Sequence, residues 1–98
     1  MKLRLHYGAN TESDIIDAAA WYENERAGLG EQFVLALDAL IERIRTVPQQ
    51  FPRVRRDVRK ARLFRFPFAV YFRVIAEEVE VIAVIHQHRD PRTWQRRT

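Results

Sequence analysis

The stretch FAVYFRVIAEEVEVIAVIH, residues 68–86, predicts two β-strands joined by a short loop. Phe68–Ile75 and Val79–His86 form the strands, and residues 76–78 between them are few enough for a hairpin loop. Within the second strand, two sets of residues alternate: Val79, Val81, Ala83 and Ile85 against Glu80, Ile82, Val84 and His86. Because both faces of Val81–Ile85 are apolar, we expect this strand to be central, with a neighbour on each edge.

A long amphipathic helix precedes this sheet. Its apolar residues recur with the period of one helix face, at Phe33, Leu37, Leu40, Ile41 and Ile44. Pro48 ends the helix, since proline cannot continue the hydrogen-bonded backbone. This periodicity is the strongest helix signal in the sequence.

An earlier helix is predicted from Asn10 or Thr11, either of which can cap its start, to a point near Arg26. Asp14 stands three residues after Thr11, from where we expect its carboxylate to reach back to the helix start. Gly28-Leu29-Gly30 forms a tight break, so the two helices make an antiparallel hairpin that needs a sheet to pack on.

Two more strands complete the predicted fold. Lys2–Tyr7 alternates polar with apolar side chains, and Val58–Phe66 alternates basic with apolar ones until Pro67 interrupts it. The expected architecture is α+β: an N-terminal strand, a helical hairpin, then a three-stranded antiparallel meander, with the helices on one face of the sheet. At 98 residues this is a single domain, residues 1–98.

Composition excludes several classes of protein. The absence of Cys excludes a disulfide scaffold, a zinc ribbon, an iron–sulfur site and a thiol nucleophile. No apolar run approaches a membrane span or a signal peptide, so we expect a cytoplasmic protein without a membrane partner. Three glycines are too few for a Gly-rich phosphate loop, and we expect no cofactor. His86 and His88 lack a third ligand at metal-binding spacing, so no metal site is expected.

Charge is distributed unevenly along the chain. Residues 1–50 carry five basic and eight acidic side chains, a net charge of −3, whereas residues 51–98 carry twelve and five, a net charge of +7. Fifteen of the seventeen basic residues are Arg, whose planar guanidinium suits carboxylate or phosphate, although a GC-rich genome would also favour Arg codons. The second half therefore suits an acidic partner, either nucleic acid or an acidic protein segment.

The basic residues of the second half are candidate binding residues. Interleaved with aromatic residues, they could hold phosphates and stack bases, or they could protect an edge strand from aggregation. His86 suits either a structural hydrogen bond or a function, and His88 and Arg89 lie beyond a strand end, where functional residues concentrate. Asp90-Pro91 predicts a short helical turn that folds Trp94 back onto the sheet as a structural residue.

Several short motifs follow one another along nearly the whole chain. They are Asp14-x6-Trp21-Tyr22, Gly28-Leu29-Gly30-x2-Phe33, Phe51-Pro52, Arg65-Phe66-Pro67-Phe68-x2-Tyr71 and His86-x2-Arg89-x-Pro91-x2-Trp94-x2-Arg97. As an ordered set they resemble the RelE/ParE superfamily of bacterial type II toxins, which are encoded beside an antitoxin in plasmid or chromosomal stabilisation modules. We expect structural roles for the motif residues Trp21, Tyr22, Phe33, Tyr71 and Trp94.

The resemblance implies one of two activities. ParE-like members bind and inhibit DNA gyrase without chemistry of their own, whereas RelE-like members are ribosome-dependent mRNA endonucleases. Metal-free RNA cleavage needs groups that take and give protons, and the RelE-like pattern supplies Lys and Arg on the middle strands with a Tyr or His near the C-terminus. This chain has no Lys after Lys60 and no Tyr after Tyr71, and Arg cannot act as a base. The ParE-like branch is therefore favoured over the nuclease, with loss of toxicity as a third outcome.

The resemblance also implies site residues and partners. For a nuclease we expect His86 or His88 as acid or base, and Arg59, Arg65, Arg73 and Arg89 around the phosphate. In either branch we expect an antitoxin with an acidic, partly disordered segment. The residues expected to bind target or antitoxin are Arg59, Arg62, Arg65, Arg73, Arg89 and Arg92. Independent DNA binding is not expected, because neither helix is basic enough to enter a groove.

Overall fold

The structure, a computed structural model, describes residues 2–98. A turn of 3-10 helix at Pro48–Gln50 follows the helical hairpin, and apart from this turn and the strand β2 the elements occur in the order predicted. They are β1 (Arg4–Tyr7), α1 (Thr11–Glu25), α2 (Leu29–Thr46), β2 (Arg53–Arg55), β3 (Val58–Arg62), β4 (Phe68–Ile75), β5 (Glu78–His86) and α3 (Arg92–Gln95).

The strands form one mixed sheet in the order β1-β5-β4-β3-β2. Strand β1 runs parallel to β5, and the remaining neighbours are antiparallel. Strand β5 therefore has a neighbour on each edge, as its apolar faces predicted. The α+β architecture with an N-terminal strand, a helical hairpin and an antiparallel meander is confirmed.

The meander differs from the prediction at its outer end. The strand expected over Val58–Phe66 ends at Arg62, because Arg65 adopts a left-handed backbone with φ of 75° and Pro67 has no N–H to donate. An unpredicted strand, β2, pairs with β3 and makes a fourth strand of the meander. All three residues of β2 are exposed, so no alternation of apolar and polar side chains could indicate it.

Helices α1 and α2 pack on one face of the sheet, called here the helix-covered face. An aromatic cluster joins them to it: the Tyr22 ring centroid lies 5.4 Å from that of Phe33 and 4.9 Å from that of Phe66, and Phe33 is fully buried. Edge-to-face and stacked contacts of this kind add stability beyond the area that they bury. The opposite face, called the open face, carries α3 through the buried Trp94.

The glycine break predicted at residues 28–30 is the turn between α1 and α2. Gly28 has φ of 87°, a left-handed conformation that disfavours other residues. A Cβ at Gly30 would lie 2.6 Å from the carbonyl oxygen of Ala19, so only glycine allows the two helices to approach this closely. The Glu23 carboxylate then accepts hydrogen bonds from the N–H groups of Gly28 and Gly30, satisfying donors at the start of α2.

Strand β5 contains a β-bulge, which moves the side chains that follow it to the other face of the sheet. Tyr71 pairs with Ala83 and Phe72 pairs with Val81, so Ile82 is an extra residue on β5. Ile82 and Ala83 consequently both face the open side. Each side chain after them lies on the face opposite to the one that strict alternation predicts. The regular alternation expected through His86 is therefore wrong beyond Ile82.

Over residues 2–98, no helix has both the length and the apolar composition that a membrane crossing requires.

Candidate functional site

Three basic side chains share the open face: Lys60 and Arg62 on β3, and Arg73 on β4. The Lys60 Nζ lies 5.7 Å from the ring centroid of Tyr71, whose ring stacks on Trp94 with centroids 4.7 Å apart and planes at 16°. Burial raises the pKa of the Tyr71 hydroxyl above its ordinary value. The open face presents cations beside an aromatic stack.

Two of the predicted arginines are held by partners within the chain. The Arg73 Nε donates to Glu80 Oε1 at 2.9 Å, a cross-strand ion pair that neutralises both groups. Arg59 lies on the helix-covered side, where its Nη1 donates to the carbonyl oxygen of Phe51 at 2.7 Å. These contacts join β4 to β5 and β3 to the segment after α2.

Other predicted arginines are exposed. Arg62 and Arg89 make no side-chain hydrogen bond within residues 2–98. Arg65 donates to Gln32 Oε1 of α2 at 3.3 Å, and its left-handed backbone turns it away from the line of β3. Arg62 and Arg89 are thus available to a partner, and Arg65 is exposed although it already contacts Gln32.

The histidine pair lies at the end of β5. The bulge places His86 on the helix-covered face, where its ring centroid is 5.6 Å from that of Phe68. His86 Nδ1 accepts a hydrogen bond from the N–H of His88 at 3.1 Å, which leaves Nε2 as the protonated nitrogen of the neutral ring. His88 and Arg89 are exposed. The sheet therefore separates His86 from the cations of the open face.

Asp90 and Arg92 close the turn that leads into α3. Asp90 Oδ1 accepts the N–H of Arg92 at 2.9 Å, and Oδ2 accepts its guanidinium at 2.6 Å. These hydrogen bonds lower the pKa of Asp90 to about 2. The guanidinium of Arg92, which we expected to bind a partner, is exposed and is also bound to Asp90.

An apolar groove runs between α1 and the start of β4. It is a recess of about 320 Å³ lined by Trp21, Tyr22, Pro67, Phe68 and His86. Trp21 has 59% of its surface exposed, although we expected a structural role for it. By contrast, the other residues assigned structural roles are buried: Tyr22, Phe33, Tyr71 and Trp94.

Asp14 and Arg97 form a contact that the sequence analysis missed. Arg97 donates through Nη1 to Asp14 Oδ2 at 2.6 Å and through Nη2 to Oδ1 at 3.1 Å, and both side chains are largely buried. Asp14 Oδ2 also accepts the N–H of Val84 at 3.0 Å, and Arg97 Nη1 donates to the carbonyl oxygen of Ile82 at 3.1 Å. Asp14 therefore binds the bulged edge of β5 rather than reaching back to the helix start. The signal that could have pointed to this contact is that Asp14 and Arg97 both belong to the short motifs, Asp14 to the first and Arg97 to the last.

Within residues 2–98, no group of three or more His, Asp or Glu side chains is arranged to hold a metal ion. The described residues also leave no buried side-chain nitrogen or oxygen without a hydrogen-bond partner.

Comparison with known proteins identifies the family. No curated protein sequence matches the chain. The fold is similar to a solved structure described as "Chromosomal ParDE TA system from P. aeruginosa", with a TM-score of 0.76 and 19% identity over 87% of this chain and 96% of that one. The family model described as "ParE toxin of type II toxin-antitoxin system, parDE" matches residues 6–91. The predicted resemblance and its ParE-like branch are confirmed, and the chain belongs to the ParE toxin family of type II toxin–antitoxin systems.

Proposed function

We propose that this toxin inhibits growth by binding DNA gyrase, without a chemical reaction of its own. The observation that carries the proposal is the separation of His86 from Lys60, Arg62 and Arg73 by the thickness of the sheet. RNA cleavage needs a proton-transfer group and cations around one phosphate. The open face has the cations, but its tyrosine, Tyr71, is buried under the ring of Trp94. Family membership supports the same conclusion.

We further propose that a cognate antitoxin neutralises the toxin through an acidic, partly disordered segment. The exposed Arg62, Arg65 and Arg89 would attract that segment and set its register, since charge complementarity accelerates encounter. The groove beside Trp21 would receive an apolar anchor, because buried aromatic contacts supply much of the affinity of protein interfaces. Arg59, Arg73 and Arg92 would contribute less, since each is already bound within the chain.

Two assays on the purified toxin test the proposal. The first measures gyrase supercoiling and traps cleavage complexes, and the second measures translation-dependent cutting of mRNA. We expect inhibition of gyrase, no mRNA cleavage, and relief of inhibition on adding the antitoxin. Cleavage of mRNA without any effect on gyrase would overturn the proposal.

The alternative is a ribosome-dependent mRNA endonuclease. It is favoured by one observation, the presence of Lys60 and Arg62 together on the open face, where they could hold a phosphate. His86→Gln and His88→Gln discriminate between the two functions. An endonuclease that uses either imidazole would lose mRNA cleavage, whereas gyrase inhibition by protein binding would survive both substitutions.

A further inference from the structure

A second recess, distinct from the groove beside Trp21, lies next to the loop that precedes α1. It has a volume of about 500 Å³ and is bounded by the loop Gly8–Asn10, by the open face of β5 at Glu80 and Ile82, and by α3. Small-molecule sites in proteins commonly have volumes of this size. Of its lining residues, Arg89 is the one already proposed to attract the antitoxin.

The walls of the recess carry an excess of positive charge. Arg89, Arg96 and Arg97 all line it, and Glu80 is the acidic residue among its lining residues. The Glu80 carboxylate is already paired with Arg73 at 2.9 Å, and the Arg97 guanidinium is paired with Asp14. Within residues 2–98, neither Arg89 nor Arg96 forms a salt bridge. Two guanidinium groups that form no ion pair within the described residues therefore line one cavity, although the Asp90 carboxylate lies near enough to Arg96 to interact with it.

The rest of the lining suits an oxyanion attached to a larger body. Thr93 and Asn10 offer a hydroxyl and a side-chain amide as neutral donors, and Ile82 provides an apolar floor. Guanidinium groups bind phosphate oxygens through paired, charge-assisted hydrogen bonds, which a single Lys ammonium cannot reproduce. Arg97 is fixed by Asp14 and the carbonyl oxygen of Ile82, so one wall of the recess is preorganised.

We propose that this recess binds a phosphate-bearing small molecule of nucleotide size, with its phosphate held between Arg89 and Arg96. The proposal does not rest on gyrase inhibition, because none of the residues of the Trp21 groove lines this recess. Phosphate binding here would also tether the loop before α1 to α3.

The test is calorimetric titration of the full chain with inorganic pyrophosphate and, separately, with ADP, at constant ionic strength. We expect saturable binding of both, and tighter binding of ADP if the apolar floor contacts the base. Arg96→Gln and Arg89→Gln should each weaken binding by about tenfold, the loss that follows from removing one charge-assisted hydrogen-bonding group. Arg26→Gln, at the distant end of α1, removes the same charge and should leave the affinity unchanged.

Two results would overturn the proposal. One is the absence of saturable binding of either probe at millimolar concentration. The other is an equal loss of affinity in Arg26→Gln and Arg96→Gln, which would show a response to net charge alone. If Arg96→Gln instead weakens only the complex with the antitoxin, the recess belongs to that protein interface and binds no small phosphate.

Discussion

Asp14 joins three parts of the chain that are distant in sequence. Its carboxylate contacts Arg97 near the C-terminus and the N–H of Val84, next to the bulge of β5, while its backbone belongs to α1. Both partners in the ion pair are largely shielded from water, so removing one leaves the other charge poorly solvated. A short polar residue in the first turn of a helix usually indicates a cap, and that local role concealed this long-range contact.

We expect Asp14→Asn to destabilise the protein by about 2 kcal/mol, because the amide cannot accept all the hydrogen bonds that the carboxylate accepts. Thermal unfolding should then begin roughly 10 °C lower in a chain of this length. The matched control is Asp17→Asn, one turn further along α1, where the side chain is exposed and the melting temperature should stay unchanged. Equal melting temperatures for the two variants would contradict the role assigned to Asp14.

Trp94 is the residue that attaches α3 to the open face. It has 4% of its surface exposed and stacks on Tyr71. We expect Trp94→Ala to cost about 3–5 kcal/mol of unfolding free energy, the usual effect of truncating a buried aromatic residue. Chemical denaturation measures the loss, with Trp21→Ala as a control for an exposed tryptophan. A Trp94→Ala protein of normal stability that no longer inhibits growth would show a binding role instead.

The groove beside Trp21 can be tested with the same control variant. Because Trp21 is 59% exposed, Trp21→Ala should leave the fold intact while weakening the antitoxin complex by tenfold or more, roughly the effect of losing an interface aromatic. Leu35→Ala on α2 removes an equally exposed apolar side chain outside the groove and should leave the affinity unchanged. Surface plasmon resonance with purified antitoxin measures both. Similar affinities for the two variants would exclude the groove as an anchor site.

At the scale of the elements, the sequence predicted the helix and the strand whose apolar residues recur with a regular period. The period of Phe33, Leu37 and Ile44 located α2, and the apolar run at Val81–Ile85 identified the central strand. Strand β2 was missed because its exposed residues bury nothing. The bulge was missed because no residue type distinguishes the extra residue, Ile82, from its neighbours. As a result, His86 lies on the face of the sheet opposite to the one that alternation predicted.

Helix α3 depends on the turn that Asp90 makes, and this gives a pH-dependent prediction. The pKa of Asp90 is about 2, below its ordinary value of 3.8, because Arg92 binds the carboxylate. Stabilisation of the turn is therefore complete above about pH 4 and is lost as the pH falls through 2. NMR titration of the Asp90 carboxyl carbon should give a midpoint near 2, and Arg92→Gln should raise it towards 3.8. If the midpoint of the Asp90 titration is the same in Arg92→Gln as in the wild type, this account is wrong.

At the scale of the whole molecule, the basic and acidic halves of the sequence form different parts of the structure. The basic half supplies β2 to β5 and the C-terminal segment, whereas the acidic half supplies the helical hairpin. The sequence alone could predict that asymmetry, but it could not tell which arginines are exposed. Hydrogen bonds from Arg59 to a carbonyl oxygen and from Arg73 to Glu80 appear only when the strands pair.

Charge reversal tests whether the exposed arginines bind the antitoxin. We expect Arg62→Glu combined with Arg89→Glu to weaken the complex and to reduce the dependence of its affinity on salt, because fewer opposite charges are screened. Affinities measured between low and physiological ionic strength give the slope. Arg4→Glu with Arg26→Glu makes the same change in net charge within the first half of the chain. If both double variants give the wild-type slope, the proposed surface is wrong.

The sheet order places the first strand of the chain beside the last one, with Arg4 opposite Glu78 and Tyr7 opposite Val81. During synthesis, the helical hairpin leaves the ribosome before β4 and β5, so its apolar face has no partner until those strands follow. Contacts of such long sequence separation also form slowly, since loop closure must precede them. The sheet is therefore completed only when β5 pairs with β1, and until then the apolar face of the hairpin is open to other contacts.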